Sequence, residues 1–414
     1  MVTQQAIEFS ARDYRTGLAI RVAISGRRIE RIGPDSSRTQ WALPWVAPAL
    51  VDLQLNGHGG QEFSSPQLTP ERLATIAQAV DGFGLAWFLP ALTTQSPEIL
   101  LHAARVIAWG CGEGRELGGR VRGIHLEGPW ISPDEGVRGA HPIAHVRTPD
   151  WDEFRRLQDA AEGRIRLVTL APELPGALRF IERLRDAGVV VALGHTAATD
   201  EQIRAAAEAG ARLSTHLGNG CHRLLPRHRN YVWAQLAEDR LAASLIADGH
   251  HLPPAVVKCF VRAKTPGRCI LVSDLAAQAG LPPGRYQGGL CDVELLPDGR
   301  LVVAGQSEYL AGATSPLGVG VANVMAFAGL SLPEALSMAS SHPAELLGIE
   351  PGRLEPGGLA DLILFDLETP PSENQGTPSS PSAPRAPENQ RPAEFRLRAT
   401  IRRGAVVHGQ LPAG

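Results

Sequence analysis

The 414-residue chain lacks most of the features that would place it in a special class. It has five cysteines, Cys111, Cys221, Cys259, Cys269 and Cys291, odd in number, scattered, and without a C-x-x-C. That argues against a disulfide framework or a zinc ribbon and for reduced thiols in a cytoplasmic protein. No apolar run approaches the ~20 residues of a membrane-spanning helix. Residues 1–5 open no basic stretch followed by an apolar one, so no signal peptide is expected. An excess of either charge is also missing. Forty basic against 43 acidic residues give a net charge of −3 and a pI of about 6.5, so neither nucleic acid nor an anionic membrane is an expected partner.

What remains is an ordinary soluble composition, 43% hydrophobic and 20% charged, at a length that suits one large domain and a smaller one. Residues 1–47 read as β structure, with a hairpin signal at Ser25-Gly26-Arg27. From about residue 48, apolar runs alternate with helical patterns. The runs fall at 50–55, 86–92, 121–126, 166–171, 189–194, 212–216, 241–247 and 269–274. Thr69-Pro70-Glu71, Ser96-Pro97-Glu98 and Thr199-Asp200-Glu201-Gln202 each open a helix with a capping hydroxyl and an early acid.

Eight β/α alternations predict a (β/α)8 TIM-like barrel over residues 48–342, whose active site lies at the C-terminal ends of the strands. A doubly wound sheet has no support, because no G-x-G-x-x-G follows the first strand. Residues 291–303 read as an inserted hairpin turning at Asp298-Gly299. Helical patterns cover 316–329 and 333–347. Residues 343–414 regain β character and are expected to join 1–47 in a small β domain. The Pro- and Ser-rich stretch 369–394 is expected to be disordered or a long surface loop.

Polar residues gather at the predicted strand ends. Strand three delivers Glu127 just before Gly128-Pro129 turns the chain, strand five His195, and strand six His216. Strand seven ends in Asp248-Gly249-His250-His251, and strand eight in Asp274. A carboxylate at the mouth of a buried strand is costly unless something positive faces it. Glu127, His195 and His216 make an open two-His, one-carboxylate site for a divalent ion. Such an ion lowers the pKa of water from about 15.7 toward roughly 7 and polarises a carbonyl. Asp274 is then the natural general base.

These residues also carry a resemblance. The motifs Val51-Asp52-Leu53-Gln54-Leu55-Asn56-Gly57, His125-Leu126-Glu127-Gly128-Pro129, Gly194-His195-Thr196, Thr215-His216-Leu217, Asp248-Gly249-His250-His251 and Leu271-Val272-Ser273-Asp274 come in the order seen in N-acetylglucosamine-6-phosphate deacetylases of the amidohydrolase superfamily. Leu310-Ala311-Gly312 and Gly358-Leu359-Ala360-Asp361-Leu362 fit the same pattern. The resemblance implies hydrolysis of the acetamide of an amino sugar phosphate, and commonly a homodimer. It makes Glu127, His195 and His216 metal ligands and Asp274 the catalytic acid/base. It places His141, Asn219, Gly220, Arg227 and His251 against the substrate, with Arg227 on the phosphate, where a guanidinium fork suits the dianion.

Many amidohydrolases carry H-x-H on the first strand and bind two metals. Here that position reads Gln54-Leu55-Asn56, and amides are poor ligands beside imidazole. One metal per chain, zinc, is therefore expected, with His58 a residue of the mouth. Where the family usually has H-L-[YF]-N-A-M, this chain has His216-Leu217-Gly218-Asn219-Gly220-Cys221, followed by an unusually basic segment. The rival readings are an amidohydrolase for another amide, such as a non-phosphorylated N-acetyl sugar or an N-acyl amino acid, and a silent barrel that only binds.

Overall fold

The computed structural model describes residues 7–112, 117, 119–368 and 392–412. Each of the eight apolar runs contributes a strand to one parallel sheet. We label them β1 (Leu50–Leu55), β2 (Leu85–Thr93), β3 (Ile124–Glu127), β4 (Ile165–Leu170), β5 (Val190–Leu193), β6 (Ala211–Ser214), β7 (Ala242–Leu245) and β8 (Cys269–Leu271). Every strand pairs with the next in sequence. Just past β8 the backbone returns to β1, where Asp274 N donates to Gln54 O at 3.0 Å and Asn56 N to Leu275 O at 2.9 Å. These bonds close the barrel. Strands β1, β2 and β3 are buried along their whole length, as expected where one face fills the barrel and the other meets helices.

The three predicted helix starts hold. Helices Pro70–Ala79, Pro97–Gly110 and Asp200–Ala209 are capped by Thr69, Ser96 and Thr199. At the third, Gln202 returns the bond to Thr199 N. Each cap is worth about 1 kcal/mol.

Strands from both ends of the chain share a second sheet, in the order Ala405–Gly409, Glu394–Arg402, Leu362–Glu368, Trp45–Pro48, Ile7–Asp13, Ala19–Ser25, Arg28–Pro34. The last two form the expected hairpin. Its core holds Phe9, Val22, Ile24, Leu362, Leu364 and Ile401. Buried Asp81 ties this sheet to the barrel. It receives Arg120 from the barrel side and Arg402 from the sheet, and its carbonyl accepts from Thr400 Oγ1 at 2.8 Å. Of the Pro- and Ser-rich stretch, 369–391 lies outside the described residues, and Glu394 already begins a strand.

The predicted hairpin is real, with Leu295 paired to Leu301 across the Asp298-Gly299 turn. It is half of a larger unit. Strands Gly284–Gln287 and Gln306–Leu310 flank it in a four-stranded antiparallel sheet, and this sheet walls the cavity above the barrel.

Candidate active site

A cavity of about 500 Å³ opens at the C-terminal ends of the strands. On its floor, Glu127 Oε1 meets His216 Nε2 at 2.9 Å and His195 Nε2 at 3.4 Å. Three donors from β3, β5 and β6 thus converge on one buried point. Burial alone would raise the Glu127 carboxyl, but the two imidazoles outweigh it and hold the group well below the carboxylate range. His216 moves the opposite way: burial opposes its charge, yet the bond to Glu127 raises its pKa. His195 Nδ1 donates to Val137 O at 2.9 Å, which leaves its Nε2 free to act as a ligand. His216 Nδ1 is buried without a partner among the described residues. One carboxylate and two imidazoles, one of them fixed from behind, fit a divalent ion.

By ligand-atom distance alone a different trio forms, because atoms of Glu127, His141 and His195 all lie within 4.8 Å of one another. In this trio His141 stands in place of His216. The Nδ1 of His141 is engaged with Thr94 Oγ1 at 2.8 Å, and its ring packs on His195 with centroids 4.4 Å apart. Burial, with His195 adding to it, lowers its pKa to about 3, so it is a neutral hydrogen-bonding group at the cavity wall.

Asp274 stands across the floor, buried and linked to the same centre through amides. Gln54 Nε2 donates to Glu127 Oε1 at 2.8 Å and to Asp274 Oδ1 at 3.0 Å, while Asn56 Nδ2 donates to Asp274 Oδ1 at 2.8 Å. Burial and the nearby Glu127 charge raise the pKa of Asp274, against the pull of Asn56. The amides expected to be poor ligands act here as donors between two carboxylates. Beneath them, Asp52 accepts from Gln54 N, Ser273 N and Ser273 Oγ. Burial pushes its carboxyl up to about 7.

Three of the four central residues adopt left-handed backbone: His195 at φ 49°, His216 at φ 29° and Asp274 at φ 51°. Each such non-glycine residue costs of order 1–3 kcal/mol and persists only when its neighbours impose it. His216 is held by its own N–H bonded to Ser244 Oγ at 2.7 Å, Asp274 by the barrel-closing bond to Gln54 O.

Most of the predicted substrate contacts line the cavity: His141, Asn219, Gly220 and His251. Gly220 has a steric reason to be glycine. It sits at φ 58°, and a Cβ there would lie 2.8 Å from His195 Nδ1. His251 Nδ1 donates to Asp248 Oδ2 at 2.8 Å, which fixes the ring. Arg227 does not join them. It is exposed and off the cavity wall, whereas Arg223 of the same loop lines it and pairs with Glu308 at 2.8 Å. His58, expected at the mouth, does not line the cavity. The strand-end reading missed Thr93, at the end of β2, and Glu62, Glu308 and the segment 288–291, which line the cavity from other segments. No helix among the described residues is long and apolar enough to cross a membrane.

Comparison with known proteins agrees with this geometry. Residues 45–407 match the model of the amidohydrolase family. N-acetylgalactosamine-6-phosphate deacetylase of Escherichia coli O157:H7 is 37% identical over 78% of this chain and 83% of its own length. The human N-acetylglucosamine-6-phosphate deacetylase is 36% identical over 78% and 79%. The structure of N-acetyl-D-glucosamine-6-phosphate deacetylase from Mycobacterium smegmatis, a point mutant in complex with N-acetyl-D-glucosamine-6-phosphate, superposes with a TM-score of 0.82. It is 30% identical, and the match covers 98% of this chain and all of that one. With a closed barrel, a buried Glu/His/His cluster that fits a divalent metal, and these relatives, the chain belongs to the amidohydrolase family, among its N-acetylglucosamine-6-phosphate deacetylases.

Proposed function

We propose that this protein hydrolyses the acetamide of N-acetylglucosamine 6-phosphate to glucosamine 6-phosphate and acetate, with one zinc ion per chain. The observation that carries the reading is the convergence of His195 and His216 on one oxygen of Glu127, with Asp274 joined to that centre by Gln54. Glu127, His195 and His216 would hold the ion, which when bound supplies an acidified water and a polarised carbonyl.

The chain's own groups divide the rest of the work. Asp274 takes a proton from the attacking water and returns it to the leaving amine, a cycle that a raised pKa favours near neutrality. Gln54 and Asn56 hold the accepting carboxylate still. His141 contacts the amide through the nitrogen that Thr94 leaves free. At the other end of the sugar, Asn219, Gly220 and His251 meet the phosphate, and the basic loop with Arg223 and Arg227 supplies positive charge.

We further propose a homodimer. Leu224 on the basic loop is 87% exposed and Trp233 on the helix after it 52% exposed, large apolar side chains that a second copy could cover. The five cysteines are all free, which suits the cytoplasm.

The identity of the sugar has a second reading, because one relative is named for the galactosamine epimer at 37% identity. Release of free amine from N-acetylglucosamine 6-phosphate, N-acetylgalactosamine 6-phosphate and both sugars without phosphate tests the assignment. The highest kcat/KM is expected for the first. Preference for the second would move the assignment to the epimer, and no preference for phosphate would move it to a neutral acetamide.

A further inference from the structure

The segment that carries His195 away from β5 is gripped by a carboxylate that lies outside the cavity wall. Thr196 donates its hydroxyl to Glu173 Oε2, and Ala197 N donates to Glu173 Oε1 at 2.6 Å. Thr196 Oγ1 in turn accepts from Ala198 N at 3.1 Å. Glu173 follows β4, so one side chain ties two neighbouring strand ends together. It is not among the residues that line the cavity and bonds to none of the candidate ligands.

The grip matters because of what precedes it. His195 is left-handed, at φ 49°. On its N-terminal side the chain is already confined, since a Cβ on Gly194 would lie 2.8 Å from Thr215 Cβ and 2.9 Å from Thr169 Cγ2. Its carbonyl accepts from Ser132 N at 2.9 Å, and its ring is tied to Val137 O. On the C-terminal side, Glu173 holds two successive residues. A carboxylate with two aimed donors is a stiffer tether than a neutral acceptor. Burial raises its carboxyl, and the bonds from Thr196 and Ala197 oppose that rise.

We propose that Glu173 is a positioning residue: by holding Thr196 and Ala197 it keeps His195 left-handed, with Nε2 turned toward Glu127. The inference rests on the metal reading above and extends it to a residue that touches neither ion nor substrate. Groups that orient a ligand in this way typically change metal affinity by about 10–100-fold when lost.

The test measures zinc affinity, not turnover. On the full chain, competition with a chromophoric chelator gives the zinc dissociation constant of wild type, Glu173→Ala, Glu173→Gln, Thr196→Val and the Glu173→Ala/Thr196→Val double variant. Melting temperature is read on each chelator-stripped protein. Glu173→Ala should weaken zinc binding by about 10–100-fold. Glu173→Gln should recover most of it, because its amide oxygen still accepts from Ala197 N. Thr196→Val should weaken binding less, and should add little in the Glu173→Ala background, since both changes cut the same tether. A Glu173→Ala variant that binds zinc within about twofold of wild type would overturn the proposal, however far its melting temperature falls. Where that variant fails to fold, wild-type affinity in both Thr196→Val and a Glu173→Gln/Thr196→Val double variant overturns it instead. A wild-type chain that binds no zinc overturns the metal reading and this inference with it, which separates the two failures.

Discussion

Gln54 Nε2 lies 2.8 Å from Glu127 Oε1 and 3.0 Å from Asp274 Oδ1, so a single amide nitrogen joins the carboxylate of the metal centre to the carboxylate proposed as its base. Two carboxylates at one buried floor raise each other's pKa. A shared donor bonds both without adding charge. Asn56 supplies a second donor to Asp274 Oδ1. Together these amides occupy the first-strand position where many relatives of the superfamily carry two histidines.

The pH dependence of the reaction follows. Asp274 must be ionised to accept a proton, and the bond from Asn56 favours its ionised form, against burial and the Glu127 charge. Asn56→Leu removes that donor, so the folded-state pKa rises further. The acid limb of kcat/KM should move to higher pH, while the plateau falls less than tenfold. An acid limb that stays in place, measured with metal-replete protein, would detach Asn56 from the proton balance of Asp274.

Asp274→Asn should keep fold and metal and lose turnover. Asparagine matches the shape but cannot take a proton from water, and removal of a general base typically costs about 10²–10⁴-fold. Single-turnover amine release by the zinc-loaded variant is the check. A near-wild-type rate there would refute the role.

His195→Asn and His216→Asn should each lose most of the bound ion, because two remaining ligands hold it poorly. His141→Asn should retain it, which separates the two trios of the cavity floor. Elemental analysis of the three purified variants decides. Full metal in both His195→Asn and His216→Asn would mean that the ligand set is wrong.

The two arginines of the basic loop should divide unequally. Arg223 is already paired with Glu308, whereas Arg227 has no carboxylate partner among the described residues. It lies off the cavity of its own chain, so it meets a substrate dianion only across the interface of the proposed dimer. Arg227→Met should cut kcat/KM for the phosphorylated sugar by roughly 10–100-fold, in line with about 1.5–3 kcal/mol for a charge-assisted bond. Arg223→Met should cost less. Neither should affect the sugar without phosphate. Equal losses on both sugars would make the loop a structural element.

The barrel was legible in the sequence because each of its strands is a short apolar run, and strands three, five, six, seven and eight lead straight into polar residues. Glu127, His195, His216 and Asp274 are visible as such ends, and the cap residues Thr69, Ser96 and Thr199 mark the helices between. Alternation along β1 also puts Asp52, Gln54 and Asn56 on one face, yet their part as donors and acceptors emerges only when β8 closes onto β1. What stayed hidden depends on loops meeting across the mouth. Glu62, Glu308 and residues 288–291 come from different segments, and no local pattern brings them over one cavity. Glu173 is the same case: it reads as a loop acid until Thr196 and Ala197 are seen to bond to it. Arg227 shows the converse, a motif position that in the single chain faces solvent.

The most direct measurement is a zinc titration of amine release from N-acetylglucosamine 6-phosphate, starting from chelator-stripped protein. Activity should be near zero at the start, rise in proportion to added zinc, and level off at one equivalent per chain, with acetate and glucosamine 6-phosphate formed in equal amounts. Full activity in the stripped protein, or no amine released at any metal content, would contradict the account.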